Sequence, residues 1–551
     1  MIETFSTALG DAAHDICVVG AGPVGITLAL ELARRGRRVL LLESGLAKLD
    51  PRAEALGEAE ILTPQHQAPM SVTNRRSLGG ASNLWGGRCV PLDRVDFLPR
   101  AAVPGSGWPI RAQDLEPYLS AACEYAMCGQ AHFFEPFAGQ AIGDADFSFE
   151  HLERWSRQPR FKDAYAERLR AEPNLRLVLG ATVAGLRFHD DGRVCAATVC
   201  GLDGTRTEVA ADRFALTAGG LETTRLLLTE QARAPHRFGG SDGTLGRYYM
   251  GHTIGGVADI TLSDARLDGA LDYVNDGRGA FARRRFTPSP ELQEREGLSN
   301  IAFWPEFPPI WDASHGDAVM SLGYLVLSVP WIGRLLVAEA IRRSHTGLDM
   351  SPEPVRALPH IANLLKGLPA AARFFPRFLY GRYLGKPRLP GFFQTNPGRR
   401  YAIRFHAEHA PHRDSRVSLS DQTDAFGLPR LKVELRFHES DVRSVVRAHV
   451  CFGEWLARTG LGRMEWSFPE AELEAEVMRQ CNDGHHQIGT VRMAASSDLG
   501  VVDADCRVFG APNLFVAGSA VFPSSSQANP TLTAILLAVR LAEHLAGETR
   551  A

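Results

Sequence analysis

Two turns near the C-terminus carry side chains that could take part in one proton transfer. His485 and His486 open the first turn, where His486 begins an H-x-x-G-T pattern that ends at Thr490. Asn529 stands on the second turn, directly before Pro530. A neutral imidazole accepts a proton near neutral pH, and a fixed amide can hold an oxygen and orient the bond beside it. The two turns therefore indicate oxidation of an alcohol, in which a histidine takes the hydroxyl proton.

Simpler interpretations remain open at the same positions. His486 could be a structural histidine, and the adjacent His485 could be the one that reacts. Asn529 could be a turn amide, since Asn-Pro commonly starts turns. A metal pair is disfavoured, because neighbouring side chains of an extended segment point to opposite faces and the sequence indicates no third ligand.

Strand–glycine–helix units must position these turns, and the first unit lies at the N-terminus. Its pattern predicts a strand, a helix and a strand over 15–19, 26–35 and 38–42. Gly20, Gly22 and Gly25 form G-x-G-x-x-G between strand and helix, a turn that lets a pyrophosphate approach the backbone. Glu43 ends the second strand, where it would accept hydrogen bonds from a ribose and disfavour a 2′-phosphate. The unit predicts a site for NAD or FAD.

The same alternation returns twice along the chain. Strands over 174–219 lead to a helix over 222–230, and a strand over 514–517 precedes a helix over 531–545. Alternating strands and helices are typical of a parallel sheet covered by helices. We therefore predict an α/β fold in which one nucleotide-binding domain is assembled from distant segments.

The middle of the chain, over 257–480, is rich in aromatic strands and predicts a different kind of domain. The segment 401–408 alternates like a strand, which puts Arg404, His406 and Glu408 on one face opposite an apolar face. These three side chains could line a substrate pocket. A solvated strand face fits the same periodicity equally well.

A basic and aromatic helical block at about 318–394 interrupts this region. The run 321–341 is apolar, but Pro330 breaks it and Arg334 and Glu339 interrupt it, which disfavours a spanning helix. Covering a site or filling a subunit interface is the favoured interpretation, and docking on an anionic membrane is the minor alternative. The further basic residues are Arg342, Arg343, Lys366, Arg373, Arg377, Arg382, Lys386 and Arg388, set among Phe374, Phe375, Phe378 and Tyr380.

Composition narrows the class of protein. A length of 551 residues allows two or more domains, and a net charge of −3 gives no case for nucleic-acid binding. Nine cysteines without a C-x-x-C pair indicate free thiols in a reducing compartment. The N-terminus lacks the basic region of a secretory signal. We expect a cytoplasmic protein.

A glycine-rich segment over 76–87 could wrap a flavin, because glycines let the backbone approach a large planar ligand. Taken with the other motifs in this order, it resembles the glucose-methanol-choline (GMC) oxidoreductase family of FAD enzymes. The residues that carry the resemblance are Gly20, Gly22, Gly25 and Glu43, the L-G-G-x-S-x-x-W stretch from Leu78 to Trp85, the segment from Ala218 to Arg225, the H-x-x-G-T turn, the strand from Asn513 and Asn529-Pro530.

The resemblance implies a role for each matching residue. His486 corresponds to the active-site histidine of the family and Asn529 to its partner. Val183 corresponds to a valine whose backbone meets the adenine, although an ordinary strand valine fits the pattern as well. The implied cofactor contacts also include Gly79, Gly80, Asn83, Trp85, Ala218 and Gly219, with Gly518 and Ser519 standing where the family often has an acidic residue. Some relatives attach FAD to a histidine near the glycine-rich segment. This chain has no histidine between His66 and His132, which predicts non-covalent FAD.

The resemblance implies a Rossmann-like FAD-binding domain over 1–98, 155–256 and 481–551. It also implies an α+β substrate-binding domain with an antiparallel sheet over 99–154 and 257–480. The expected function is oxidation of a CH–OH group of a sugar, polyol or glycosylated metabolite, with oxygen or another electron acceptor. A lyase-type reaction on the same fold, and a non-catalytic membrane-associated flavoprotein, are the alternatives. The sequence leaves open the exact substrate, the acceptor, the role of the 318–394 block and the oligomeric state.

Overall fold

The computed structural model contains two large sheets, each with its own hydrophobic core. It describes residues 2–7, 9, 14–137, 144–277, 279–307, 310–336, 342, 345–347, 357–385, 389–391, 393–395 and 398–547.

The first sheet is parallel and is assembled from distant parts of the chain. Its strands lie in the order Ile2–Thr4, Leu175–Leu179, Val39–Glu43, His14–Val19, Ala211–Leu216 and Leu514–Val516. Every neighbouring pair runs parallel. The central strands are buried along their whole length, as expected of strands covered on both faces. The predicted nucleotide-binding sheet of discontinuous segments is confirmed.

Helices cover this sheet and complete its core. Pro23–Arg34 begins three residues before the predicted helix, because Pro23 occupies the first turn and its fixed φ suits a helix start. Gly220–Arg233 and Thr531–Gly547 are the helices predicted after the later strands. Helix Leu119–Ala126 also contributes buried side chains to this core.

The second large sheet is antiparallel and confirms the predicted α+β architecture of the middle region. Its strands lie in the order Gly462–Trp466, His252–Leu262, Arg400–Glu408, Ile301–Glu306, Phe281–Pro288, Phe147–Trp155 and Arg88–Cys89, with Val274–Asn275 beside Phe281–Pro288. Strand Arg400–Glu408 buries alternate apolar side chains in the second core. Helix Glu439–Arg458 covers that core with Phe452 and Trp455.

Two small sheets flank the large ones. Ala181–Phe188, Val194–Gly201 and Arg206–Val209 form an antiparallel meander. The sequence predicts strands within 174–219 but not this pairing. Arg416–Thr423 and Pro429–Glu434 pair with each other, and the latter runs parallel to Ala59–Ile61 from the N-terminal part of the chain. Elements therefore cross between the two predicted domains, and the proposed domain boundaries stay a prediction.

The remaining helices are short or belong to the basic, aromatic block. The segment 76–93 contains a 3₁₀ turn at Gly80–Asn83 and the short strand Arg88–Cys89. The other 3₁₀ turns are Arg94–Phe97, Ala112–Asp114, Glu116–Tyr118, Arg237–Gly239, Ala313–His315, Glu470–Glu472 and Ser519–Val521. The other short helices are Pro51–Ala55, Met70–Thr73, Phe161–Ala164, Ala166–Ala171, Ala265–Ala270, Pro290–Glu296 and Leu473–Gln480.

The block from 318 is helical, as predicted. Its helices are Ala318–Ser328, Pro330–Leu336, Ala357–Lys366, Leu368–Leu379 and the π-helical turn Tyr380–Leu384. Pro330 separates the first two, which confirms the predicted break. Arg343, Lys386 and Arg388 lie outside the described residues. Within the described part of the chain no single helix is long and apolar enough to cross a membrane, whereas the first two helices, bent by 109°, meet those criteria only together.

Candidate active site

The structure brings the two C-terminal turns together, so that His486 faces Asn529. The amide Nδ2 of Asn529 lies 3.2 Å from Nε2 of His486. His485 adopts φ +60° and its side chain is exposed, so His486 is the histidine that meets the amide. Asn529 stands on the buried loop that leads into helix Thr531–Gly547.

Two atoms of this pair are buried without a hydrogen-bond partner among the described residues. They are Nδ1 of His486 and Oδ1 of Asn529. Buried polar atoms are nearly always paired in folded proteins, and exceptions concentrate at binding sites. The residues around this pair therefore leave hydrogen-bonding capacity for a ligand.

Burial also keeps His486 neutral. Loss of water around the ring, with smaller contributions from His485 and Arg88, lowers the pKa of His486 to about 3. The imidazole therefore carries a lone pair at neutral pH. This is the protonation state that a general base requires.

His486 is one member of a cluster of three histidines, the others being His252 and His406. The ring of His252 lies 4.7 Å from that of His486 and 4.2 Å from that of His406, measured between centroids. Burial holds the pKa of both His252 and His406 well below the usual range. Nδ1 of His406 contacts the carbonyl oxygen of Gln527, two residues before Asn529.

The cluster bears on the expectation that this site holds no metal, which stays a prediction. One ring nitrogen from each of His252, His406 and His486 lies within 4.8 Å of the others, and neutral imidazoles are common transition-metal ligands. The sequence argument considered only the adjacent His485 and found no third ligand. The structure supplies two other histidines from the antiparallel sheet, so ligand geometry alone does not exclude a metal.

Sequence reasoning missed His252 entirely. It begins strand His252–Leu262, and its backbone pairs with Asn482 in the turn before His486. The chain offers only the short signal Met250-Gly251-His252, which follows no recognised motif. Its role depends on pairing between segments more than two hundred residues apart.

A group of arginines beside the histidines was also missed. Arg88 lies 2.5 Å from the buried carboxylate of Glu153 and its guanidinium lies 4.5 Å from the ring of Trp304. Arg283 pairs with the same carboxylate. Nη1 of Arg285 donates to Oε1 of Gln527 at 2.6 Å. The positive charge of Arg88 contributes to the low pKa of both His406 and His486.

The predicted substrate face of strand Arg400–Glu408 divides into three environments. Arg404 lies 3.7 Å from Glu306 in a partly exposed ion pair. His406 belongs to the histidine cluster. Glu408 is fully buried and accepts two hydrogen bonds from Arg100, at 2.8 and 2.6 Å. Only His406 of the three lies beside His486, and the alternative of a solvated strand face is wrong for Glu408.

The glycine turn after the first buried strand has the geometry of a phosphate cradle. A Cβ placed on Gly25 would lie 1.9 Å from the carbonyl oxygen of Gly20, so only glycine fits there. A Cβ on Gly22 would meet no atom within 4 Å, which leaves its side of the turn open. A Cβ on Gly80 would lie 3.0 Å from Cα of Gly22, so the 76–87 segment closes over the turn. The N–H of Gly79 fixes this approach by donating to Ala21 at 2.8 Å.

Glu43 lies at the rim of the same turn. Its carboxylate accepts hydrogen bonds from the N–H of Ala21 at 2.9 Å and from that of Gly45 at 2.8 Å. Burial raises the pKa of Glu43. The side chain therefore joins the glycine turn to the end of its strand, in the position where a ribose contact is predicted.

Several other predicted cofactor residues shape the loops around the turn. Asn83 donates to the carbonyls of Leu78 and Gly80, both at 3.0 Å. The indole N–H of Trp85 donates to Pro159 at 2.7 Å. Val183 is partly buried in the meander. Their contacts to a cofactor stay predictions.

The remaining predicted contacts border the His486 turn. Ala218 and Gly219 follow the central strand Ala211–Leu216, and Gly219 adopts φ +83° before helix Gly220–Arg233. Gly518 adopts φ +134° where the last strand ends. The hydroxyl of Ser519 donates to the carbonyl of Gln487 at 2.6 Å. Ser519 therefore holds the residue next to His486, a role the sequence did not predict.

Family comparisons match both ends of this arrangement. A model described as FAD dependent oxidoreductase matches 15–204, and the model GMC oxidoreductase, for the C-terminal region, matches 411–538. The chain is therefore similar to GMC oxidoreductases over its C-terminal region and to FAD-dependent oxidoreductases over its N-terminal region. The predicted resemblance and the predicted fold are confirmed at this level.

Individual GMC relatives differ in how much of the chain they match. The C-glycoside 3-oxidase of Microbacterium trichothecenolyticum is 33% identical, but the match spans only 25% of each chain. The 2-methyl-1,2-propanediol dehydrogenase of Mycolicibacterium austroafricanum is 24% identical over 96% of this chain and 95% of its own. The crystal structure of pyridoxine 4-oxidase from Mesorbium loti has a TM-score of 0.51 and 18% identity, covering 96% of this chain and 99% of its own, which shows a shared fold.

The residues present fit the FAD that similarity to these enzymes implies. The open side of Gly22 is where a pyrophosphate can approach, and Glu43 stands one strand away at the ribose position. In the two C-terminal turns, His486 and Asn529 each supply a buried polar atom that has no partner among the described residues. The glycine turn and Glu43 lie at the carboxyl ends of two parallel strands, where ligands bind in this class of fold.

Proposed function

We propose that this protein oxidises a CH–OH group of a sugar, polyol or glycosylated metabolite, with His486 as the base that accepts the hydroxyl proton. The observation that carries the proposal is the contact between His486 and Asn529, a neutral imidazole and an amide that each keep one buried atom without a partner among the described residues. The relatives named C-glycoside 3-oxidase and 2-methyl-1,2-propanediol dehydrogenase support the substrate class.

The chemistry follows from what each side chain can do. Asn529 donates from Nδ2 toward Nε2 of His486, which leaves the lone pair of the ring on Nε2. A substrate hydroxyl that enters between them can give its proton to Nε2 and receive a hydrogen bond from the amide, which orients the adjacent C–H. FAD, when bound, accepts the hydride that leaves this carbon. The positive charge of Arg88 disfavours an imidazolium and so favours return of the proton after the reaction.

FAD attachment is proposed to be non-covalent. The segment that closes over the glycine turn carries no histidine between His66 and His132. Precipitation of the protein with acid should release all flavin into the supernatant. Flavin that stays with the precipitate would contradict this part of the proposal.

The electron acceptor is proposed to be oxygen or another electron acceptor. The protein itself is proposed to work in the cytoplasm. The nine cysteines, all free thiols, support a reducing compartment. Admission of oxygen to the substrate-reduced protein distinguishes the acceptors, because an oxidase regains its oxidised flavin spectrum rapidly and a dehydrogenase does not.

The test is flavin reduction under anaerobic conditions with a panel of sugars, polyols and glycosides. For a substrate that bleaches the flavin, His486→Ala should retain flavin and lower the reduction rate by about 10²–10⁴-fold. His485→Ala is the matched control, since this adjacent histidine is exposed, and should change the rate little. Equal rates in His486→Ala and the wild-type protein would refute the assignment of the base.

A further inference from the structure

The helices of the 318–384 block have one face packed against the protein and another face of exposed side chains. We define the docking face by the exposed side chains of helices Ala318–Ser328, Pro330–Leu336, Ala357–Lys366, Leu368–Leu379 and Tyr380–Leu384.

The inner face is fixed by specific contacts. His360 is buried, stacks on Tyr324 with 4.1 Å between ring centroids, and lies 3.1 Å from the hydroxyl of Ser321. Asn363, one helical turn later, donates to the carbonyl of Ala313 at 2.7 Å. These contacts set the rotation of helix Ala357–Lys366 and therefore determine which side chains point outward.

The outward side chains are large and apolar. Leu358, Ile361 and Leu365 follow each other at helical spacing, and Leu358 and Leu365 are 80% and 70% exposed. Trp331 and Leu335 are 73% and 81% exposed on helix Pro330–Leu336. Isolated exposed apolar residues are normal, whereas a contiguous group marks an interaction surface. The other exposed members are Leu336, Leu368, Leu379, Tyr380 and Leu384.

The charge of the same helices is entirely positive. The segments 318–336 and 357–385 contain no aspartate or glutamate, in a chain with 63 acidic residues. Their charged side chains are Arg334, Lys366, Arg373, Arg377 and Arg382. The intervening segment 337–356 is balanced, with Glu339, Asp349 and Glu353 against Arg342, Arg343 and Arg356. Positive charge beside exposed leucines is complementary to a surface that is negative outside and apolar beneath.

We propose that the docking face binds the surface of an anionic phospholipid bilayer, with its leucines in the interfacial layer and its arginines at the headgroups. Trp331 and Tyr380 have the amphipathic rings that favour this layer. The bend of 109° at Pro330 keeps the two most apolar helices from forming one straight span, which is the geometry of a protein that lies on a membrane. Protein partners with an acidic, apolar surface are the competing class and form one outcome of the test.

The test uses the full-length flavin-loaded protein and sedimentation with liposomes. Phosphatidylcholine vesicles are compared with vesicles that also contain phosphatidylglycerol, at low and high salt. We expect binding to the anionic vesicles only, weakened by salt because the attraction between charges is screened. The double variant Leu358→Ser/Leu365→Ser and the double variant Arg373→Glu/Arg377→Glu should each weaken this binding at least tenfold.

A matched control is Leu499→Ser, which removes an exposed leucine (63% exposed) far from the block in sequence. It should leave vesicle binding unchanged, and the flavin spectrum should be the same in all variants. Failure of the wild-type protein to bind anionic vesicles would overturn the proposal. So would self-association that the leucine variants abolish, because a second protein surface would then cover the docking face.

Discussion

The glycine turn allows a specific test of FAD binding, because replacing two of its glycines by alanine should have different effects. One replacement should lower the folding stability, and the other should lower the affinity for FAD. In Gly25→Ala the new Cβ would lie 1.9 Å from the carbonyl oxygen of Gly20 and 2.6 Å from the hydroxyl of Thr217. Favourable carbon contacts need about 3.5–4.0 Å, so the backbone of the turn must move. We expect a loss of folding free energy at or above the usual cost of overpacking, about 1–3 kcal/mol.

Gly22→Ala provides the comparison. Gly22 has φ −79°, which alanine adopts without strain, and its Cβ would meet no protein atom. The free energy of unfolding of the flavin-free protein should therefore change by less than ~0.5 kcal/mol. A methyl group on the open side of the turn blocks the approach of the pyrophosphate. We expect the dissociation constant for FAD to rise at least tenfold, which corresponds to about 1.4 kcal/mol.

Two measurements distinguish these outcomes: urea unfolding of the flavin-free proteins, and titration of FAD followed by quenching of its fluorescence. The expected pattern is an unstable Gly25→Ala and a stable Gly22→Ala that binds FAD weakly. Wild-type affinity in Gly22→Ala would refute the position assigned to the pyrophosphate. Normal stability in Gly25→Ala would refute the close packing of this turn.

Four further predictions concern the active site and its support. Burial lowers the pKa of His486 to about 3. The rate of flavin reduction should therefore not fall as the pH drops from 7 through about 6.5, the ordinary pKa of histidine. A stopped-flow pH series that shows such a fall would contradict the burial of His486. The same shift should lower the free energy of unfolding as the pH falls from 6.5 toward 3, because the unfolded chain binds a proton that the folded site does not. Urea unfolding of the wild type and of His486→Gln over this pH range measures the effect. Arg100→Met should cost about 3–5 kcal/mol in urea unfolding, because Glu408 is then buried without its cation, and an unchanged midpoint would show that the pair is not buried in solution. Ser519→Ala should slow flavin reduction without loss of FAD, because it frees the Gln487 carbonyl beside the base; loss of flavin instead would make Ser519 a cofactor contact.

The parts of the fold that the sequence predicts well are those specified by neighbouring residues. The strand–turn–helix unit around Gly20 depends on hydrophobic periodicity and on glycines a few positions apart, so its elements are found with errors of one to three residues. The pairing of His486 with Asn529 was predicted because both stand in short family motifs, and the structure places the two side chains in contact. Their catalytic roles stay a prediction.

The parts that were missed depend on contacts between distant segments. Periodicity correctly put Arg404, His406 and Glu408 on one face of a strand, but it could not show that Arg100, 308 residues earlier, buries Glu408 in an ion pair. His252 likewise reaches His486 only because its strand pairs with the distant backbone segment at Asn482. The burial of a side chain and the identity of its partners depend on the whole fold. Neighbouring residues in the sequence therefore do not predict them.

The position of Asn529 itself depends on both sheets. Its loop is buried from Ser524 to Ala528, and Ser526 holds φ +61°, a conformation that costs energy outside glycine. The hydroxyl of Ser526 donates to Asp96 at 2.6 Å, while Gln527 bonds Arg285 and Asp93 through its side chain and meets His406 through its carbonyl.

These bonds tie the loop to a buried polar network instead of to apolar side chains. Burial, with Glu408 and Asp93 nearby, raises the pKa of Asp96. Hydrogen bonds are directional, and they fix the orientation of a loop more narrowly than hydrophobic contacts do. Asn529 must present its amide to His486 within hydrogen-bonding distance. The strained turn is held by Asp96, Arg285 and the histidine cluster. These contacts fix the orientation of the Asn529 amide toward His486.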